Sequence, residues 1–126
     1  MLIVDASAIV ALIFNEPEGE RTTALIKGHE LATSAIFRFE LANVCLMKSC
    51  RQPLQRGAIM QAHGLLHRLE IAEYSVGQAE VLALAEATRL THYDASYLSL
   101  SHRLNAPPIT LDKALTGAIT PPPAAP

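Results

Sequence analysis

The sequence of 126 residues predicts an α/β domain built on a parallel sheet. A short apolar run without alternation is typical of a strand covered on both faces, and such a run occurs at residues 2–4, while residues 109–111 are predicted as the last strand. The stretches between the apolar runs favour helix, and strands that alternate with helices indicate a parallel sheet with right-handed crossovers. Half of the residues are hydrophobic and only 17% are charged, which argues against a disordered chain.

The first half of the chain begins with a buried strand. The predicted strands and helices, in order, are strand 2–4, helix 7–14, helix 17–28, strand 31–33 and helix 34–51. Pro17 suits a first helical turn, and Gly28 suits the end of that helix. Ser34 is predicted to cap the long helix, which Pro53 stops.

The second half continues the alternation. It is predicted to contain helix 54–69, strand 71–76, helix 78–90, helix 94–104, strand 109–111 and a short helix at 112–115. Tyr93, Tyr97, Leu100 and Leu104 form an apolar stripe at helical spacing. The segment 121–126 is rich in proline and continues neither sheet nor helix, so we expect a single domain at 1–120 and a mobile tail at 121–126.

Composition and charge bear on the compartment of the protein and on the partners that it attracts. The formal net charge of -2 provides no general attraction to nucleic acid or to an anionic membrane. No apolar run approaches the roughly 20 residues that span a bilayer, and the amino terminus lacks the positive charge of a secretory signal. Cys45 and Cys50 lie on different sides of one predicted helix, which predicts reduced thiols in the cytoplasm.

The three aspartates of the chain are Asp5, Asp94 and Asp112, and each lies where an apolar run gives way to a helix. Carboxylates at the carboxyl ends of parallel strands point into the crevice where α/β sheets bind ligands, and several together suit a hard divalent cation. Each aspartate, taken singly, is also explained as a helix N-cap, which stabilises by about 1 kcal/mol.

Glu40 favours the metal interpretation, because it is predicted in a helix interior where it cannot cap. Its neighbours three and four positions away are Ile36, Phe37, Asn43 and Val44, so no local cation pairs with it. A glutamate in this setting is costly unless a distant group compensates it, and a metal shared with the aspartates would do so. The alternatives are a tertiary salt bridge and an edge position.

Ligands that are all oxygen atoms favour Mg²⁺ or Mn²⁺ over zinc. Two charges about 4 Å apart repel by roughly 4 kcal/mol at an effective dielectric near 20, so the empty site is expected to keep a proton. Ser7 and Thr110 are placed to support the site, through a hydroxyl ligand or an oriented water, and helix capping explains Ser7 equally well. His63 and His67 have helical ligand spacing but no third ligand beside them.

Four motifs, in order and approximate spacing, resemble those of PIN-domain ribonucleases, most closely the VapC-type toxins. They are LIVDASA at 2–8, ELANV at 40–44, YDASYL at 93–98 and TLDKAL at 110–115. The resemblance implies a three-layer α/β/α domain with a four- or five-stranded parallel sheet. It also implies cleavage of single-stranded RNA and a cognate antitoxin that occludes the site. The implied site consists of Asp5, Glu40, Asp94 and Asp112 with Mg²⁺ or Mn²⁺.

Within this interpretation, Asp5, Glu40 and Asp94 hold the principal ion, and Asp112 binds a second ion or positions water. Arg38 and Lys113 flank Glu40 and Asp112 and are either RNA contacts or ordinary solvated charges.

Two rival functions remain open. An aspartyl phosphotransferase would need an acid in place of Ala6 or Ser7. A non-catalytic PIN-like interaction module would be marked by a lost carboxylate, and none is lost.

The helices between residues 35 and 69 carry more apolar surface than one side of a small sheet covers. The residues concerned are Ile36, Phe39, Leu46, Met47, Ile59, Met60, Leu65 and Leu66. A self-complementary apolar patch predicts a twofold homodimer, as the resemblance also implies. A fifth strand is doubtful, because residues 117–120 run directly into prolines.

Overall fold

The structure, a computed structural model, describes residues 1–119, so the predicted tail at 121–126 lies outside the described residues. The elements, in chain order, are β1 (Leu2–Val4), α1 (Ala6–Ile13), α2 (Gly19–Ile26), β2 (Leu31–Ser34), α3 (Phe37–Arg51), α4 (Arg56–Gly64), β3 (Ile71–Tyr74), α5 (Gln78–Thr88), α6 (His92–Leu104), β4 (Pro108–Ile109) and α7 (Lys113–Ile119). Short 3₁₀ turns at Pro53–Gln55 and Leu65–Arg68 flank α4.

The four strands form one parallel sheet in the order β3-β2-β1-β4. Ile3 of β1 lies between Ala32 of β2 and Pro108 of β4. Right-handed crossovers place α1 to α4 on one face of this sheet and α5 with α6 on the other. The result is the predicted three-layer α/β/α arrangement, with four strands in the described part of the chain.

The core lies along β1 and against α6. All three residues of β1 are buried, as expected for a central strand covered on both faces. In α6, residues 95–101 are all buried, because this helix packs on β1, β2 and β4 while α5 and α7 cover its other sides. None of the helices within residues 1–119 is long and apolar enough to cross a bilayer.

The prediction that Ser34 caps the long helix is wrong. Ser34 is the last residue of β2, opposite Tyr74, and its Oγ accepts a hydrogen bond of 2.9 Å from Ser96 Oγ of α6. The helix begins at Phe37 instead, and Ile36 at its N-cap makes no side-chain hydrogen bond there.

Other element bounds also differ from the predictions. The helix predicted at 54–69 is shorter, because α-helix is confined to Arg56–Gly64 and a 3₁₀ turn lies on each side of it, and α7 extends to Ile119. The last strand ends at Ile109, because Thr110 turns its hydroxyl toward Asp5 and Leu111 N donates to Ser7 Oγ at 2.8 Å.

Candidate metal centre

All four predicted acidic residues line one cavity of about 270 Å³ at the carboxyl ends of the strands. The residues around it are Asp5, Ala6, Ser7, Glu40, Asn43, Val44, Asp94, Tyr97 and Asp112. Asp5 follows β1 and Asp112 follows β4, while β2 lies on the other side of β1. The cavity therefore lies at the position where the order of the strands reverses, which is where open α/β sheets bind ligands.

Asp5 is buried and its two carboxylate oxygens have different partners. Oδ1 accepts from Ser7 Oγ at 2.7 Å and from Ala8 N at 3.1 Å. Oδ2 accepts from Thr110 Oγ1. Asp5 therefore caps α1 and lines the cavity with the same side chain, and both predicted supporting hydroxyls contact it directly.

Burial raises the pKa of the Asp5 carboxyl above its ordinary value, and the three hydrogen bonds lower the pKa in part. The negative charge of Asp112 raises the Asp5 pKa further. The same hydroxyls tie the ends of β1 and β4 together, because Thr110 Oγ1 donates to Asp5 and Leu111 N donates to Ser7 Oγ at 2.8 Å. Asp112 itself caps α7 by accepting from Leu115 N at 2.9 Å.

Glu40 lies in the first turn of α3, so the prediction that it occupies a helix interior is wrong. Its partner is Tyr97 of α6, whose hydroxyl donates to Glu40 Oε1 at 2.5 Å. Burial raises the pKa of Glu40, the Tyr97 hydrogen bond lowers it, and the other three carboxylates of the cavity raise it. Within residues 1–119 no lysine or arginine forms a salt bridge with Glu40.

Asp94 lies in the first turn of α6 but does not cap it. Thr91 is the N-cap, and its Oγ1 accepts from Asp94 N at 3.1 Å. Burial raises the pKa of Asp94, and the charges of Asp112 and Asp5 raise it further, while a hydrogen bond with Thr91 lowers it. The helix therefore begins earlier than predicted, at His92.

The lining of this cavity suits a divalent cation of the Mg²⁺ or Mn²⁺ type. Four carboxylates line it, no lysine or arginine of residues 1–119 does, and carboxylate oxygens are the donors that such cations prefer. Within the described part of the chain, no three His, Cys, Asp or Glu side chains lie close enough together to hold one metal ion without a movement of side chains. The carboxylates surround a space rather than meet at a point, as their mutual repulsion requires.

Sequence reasoning did not assign Tyr97 and Asn43 to the site. Tyr97 was placed in an apolar stripe, and Asn43 was considered only as a neighbour of Glu40. Both line the cavity, and each follows a predicted ligand by three positions on its helix. Residues at this spacing share a helix face, which is the signal that would have found them.

The two cations predicted to flank the site do not line the cavity. Arg38 Nε lies 2.5 Å from Glu73 Oε1 of β3, so its charge is paired at the edge of the sheet. Lys113 is exposed at the first position of α7. The phosphotransferase alternative gains no support, because Ala6 and Ser7 carry no acid and both oxygens of Asp5 accept hydrogen bonds.

Three comparisons with known proteins each find a similarity that covers most of the chain. Residues 2–118 match the sequence model of the PIN domain. Ribonuclease VapC3 of Pyrobaculum aerophilum is 32% identical over 120 residues, which cover 90% of this chain and 91% of that protein. The crystal structure of PAE2754 from Pyrobaculum aerophilum matches with a TM-score of 0.75 at 24% identity and covers 93% of this chain and 78% of that one.

A second solved structure is that of Mycobacterium tuberculosis VapC20, described as a sarcin-ricin loop cleaving toxin. It matches with a TM-score of 0.67 at 13% identity and covers 94% of this chain and 95% of that chain. Both structural similarities concern the fold.

Proposed function

The chain belongs to the PIN domain family, and from that premise we propose that it is a metal-dependent endoribonuclease that cleaves single-stranded RNA. We propose further that it is the toxin of a type II toxin–antitoxin pair in the cytoplasm. The observation that carries the catalytic proposal is one cavity lined by Asp5, Glu40, Asp94 and Asp112, to which residues 1–119 contribute no lysine or arginine. The ribonuclease name of the 32% identical relative supports the same activity.

Asp5, Glu40 and Asp94 would hold the principal Mg²⁺ or Mn²⁺ ion, and Asp112 would hold a second ion or position water. A divalent cation bound there would lower the pKa of water and offset negative charge on the phosphate as the phosphodiester is hydrolysed. Ser7 and Thr110 orient Asp5 through its two oxygens, and Tyr97 holds Oε1 of Glu40. These hydrogen bonds fix the carboxylates before substrate arrives.

Two protein partners follow from the same proposal. A small antitoxin encoded beside the chain would neutralise it by covering the acidic cavity. A homodimer would bury the apolar side chains that remain exposed along α3 and α4, and at the turn after α4, which are Leu46, Met47, Met60 and Leu65. Phe39, which was also predicted in this patch, lines a different cavity in the first turn of α3 and is not part of the proposed interface. Ile59 and Leu66, which were predicted in this patch, belong to the core instead.

Cleavage of a single-stranded RNA pool tests the proposal. We expect cutting only with Mg²⁺ or Mn²⁺, and complete loss of cutting with chelator. Glu40→Gln and Asp94→Asn should each lower the rate by roughly two orders of magnitude or more, because loss of a ligand displaces the cation. Glu80→Gln is the matched control, since Glu80 is an exposed carboxylate of α5 outside the cavity and its loss should leave the rate unchanged.

Expression in cells tests the biological part. The wild-type chain should arrest growth, and Asp94→Asn should relieve the arrest. Equal toxicity of the two would show that the arrest has another cause. A wild-type protein that binds Mn²⁺ but leaves the RNA pool uncut would favour the non-catalytic interaction module.

A further inference from the structure

A second cavity, of about 320 Å³, opens at the carboxyl ends of β2 and β3 beside the acidic one. No aspartate or glutamate in the part of the chain that the structure describes lines it. Two of its residues directly precede predicted metal ligands in the chain, since Phe39 precedes Glu40 and Tyr93 precedes Asp94. Consecutive side chains on a helix point about 100° apart, so α3 and α6 each contribute side chains to both cavities.

This cavity collects the exposed aromatic surface of the protein. Phe39 is 75% exposed and Tyr93 is 57% exposed, and both line the cavity. The remaining aromatic side chains are buried or half-buried within the described residues. Exposed aromatic surface gathered in a concave site is typical of ligand recognition rather than of core packing.

The polar wall of the cavity is held in place by its own hydrogen bonds. His92 Nε2 and Gln78 Oε1 lie 2.6 Å apart and join the first residues of α5 and α6. The loop after β3 is fixed by Arg103 Nη1, which donates to Ser75 O at 3.0 Å. The cavity is therefore preformed, which reduces the entropy that a ligand would lose on binding.

We propose that this cavity binds one nucleobase of the RNA, from a nucleotide next to the phosphate at the acidic cavity, and stacks it against Phe39 and Tyr93. The inference rests on the proposed function and adds a subsite to it. Unpaired RNA bases stack on aromatic side chains, and a cavity of this size accommodates a single base rather than a protein segment. The aromatic and polar lining, to which the described residues contribute no carboxylate, lysine or arginine, suits a neutral base, whereas the four carboxylates next to it suit a cation and its phosphate.

Binding without cleavage provides the test. Fluorescence anisotropy with Ca²⁺ as the cation compares a labelled octaadenylate with an abasic ribose-phosphate chain of the same length. Phe39→Ala and Tyr93→Ala should each weaken binding of octaadenylate by about 5- to 100-fold, the range expected for loss of base stacking. Neither should change binding of the abasic chain. Tyr93→Phe should keep the affinity, and Leu82→Ala, an exposed apolar residue of α5 outside the cavity, should match wild type.

Several results would overturn the subsite. They are unchanged octaadenylate binding in both alanine variants, equal losses on the two probes, and absence of wild-type binding to octaadenylate. Conversion of a wild-type dimer to a monomer by the alanine substitutions would show that a second copy covers this cavity instead. Because the assay needs no cleavage, a wild type that binds bases through Phe39 and Tyr93 but cuts nothing would refute the nuclease proposal and leave the subsite intact.

Discussion

Asp5 combines two roles that the sequence presented as alternatives. Its Oδ1 caps α1 through Ala8 N, and the same carboxylate lines the acidic cavity. The two roles coincide because a helix that follows a parallel strand begins at the carboxyl end of the sheet, where ligands bind. At such positions a cap assignment does not argue against a functional one.

Asp5→Asn should flatten the pH dependence of stability in the metal-free protein. Burial raises the folded-state pKa of Asp5 above its ordinary value of 3.8, so its contribution to stability is present at acid pH and is lost as pH rises through the raised pKa. Asparagine caps a helix as well as aspartate and has no carboxyl group to ionise as the pH rises. In thermal melts with chelator, the melting temperature should therefore fall more for wild type than for Asp5→Asn between about pH 4 and about pH 8. Parallel curves would contradict this account.

Tyr97→Phe should weaken cation binding while keeping the fold, because phenylalanine fills the buried site and removes only the hydroxyl that holds Glu40. Loss of such a supporting hydrogen bond costs about 10- to 100-fold in metal affinity. The hydrogen bond lowers the pKa of Glu40, so its loss should also move the acid limit of Mn²⁺ binding to higher pH.

Calorimetric titration with Mn²⁺ at several pH values measures both effects, with Tyr74→Phe as the control. Tyr74 is outside the cavity, so its hydroxyl should not matter. Identical titrations for Tyr97→Phe and wild type would show that Tyr97 only packs.

The four carboxylates of the cavity were predictable because each stands out locally, at the end of an apolar run or among apolar helix neighbours. The partner of Glu40 was not, because Tyr97 lies 57 positions away and only the tertiary fold brings the two together. The alternatives for Arg38 stayed open for the same reason, since its ion-pair partner Glu73 lies 35 positions away on an edge strand.

At the scale of elements, the strands and most helices were predictable, and the ends of elements were less so. β2 extends to Ser34, whose hydroxyl accepts a hydrogen bond from Ser96. β4 ends at Ile109, because the hydroxyl of the next residue, Thr110, donates to Asp5. Local propensity contains no information about these distant partners, so bounds based on it shift where a side chain is engaged elsewhere.

The contact between α1 and α2 depends on a glycine. A Cβ on Gly19 would lie 2.5 Å from the carbonyl oxygen of Ala11, which is backbone and cannot rotate away. Gly19→Ala should lower the free energy of unfolding by about 1–3 kcal/mol. Gly57→Ala in α4 is the matched control, because nothing lies within 4 Å of its Cβ, and it should raise stability by about 0.4–1 kcal/mol. Urea denaturation measures both, and equal effects would refute the close packing.

For the whole molecule, the alternation of elements predicted a parallel sheet but not the order of its strands. The order β3-β2-β1-β4 is set by how the crossovers pack, and it decides that the ends of β1 and β4 adjoin. The resemblance to a family implied that the four carboxylates form one site, but it gave no strand order. The gathering of carboxylates from distant parts of the chain is thus a consequence of topology.

The exposed apolar side chains of α3 and α4 should mediate a dimer. Leu46→Glu should convert the dimer to a monomer, because a charge in a self-complementary interface is met by its own symmetry mate. Leu82→Glu on α5 serves as the control and should leave the mass unchanged. Light scattering at a protein concentration on the order of tens of micromolar gives the mass, and a monomeric wild type would contradict the dimer.

The most direct test of the metal centre is thermal melting of the whole chain with increasing Mn²⁺. A cation that binds only the folded state stabilises it by about 2.7 kcal/mol at one hundred times its dissociation constant. We therefore predict that the melting temperature of wild type rises by several degrees, that Asp5→Asn loses most of the rise, and that Glu80→Gln keeps it. A wild-type melting temperature that does not respond to millimolar Mn²⁺, or an Asp5→Asn variant that responds equally, would contradict the site.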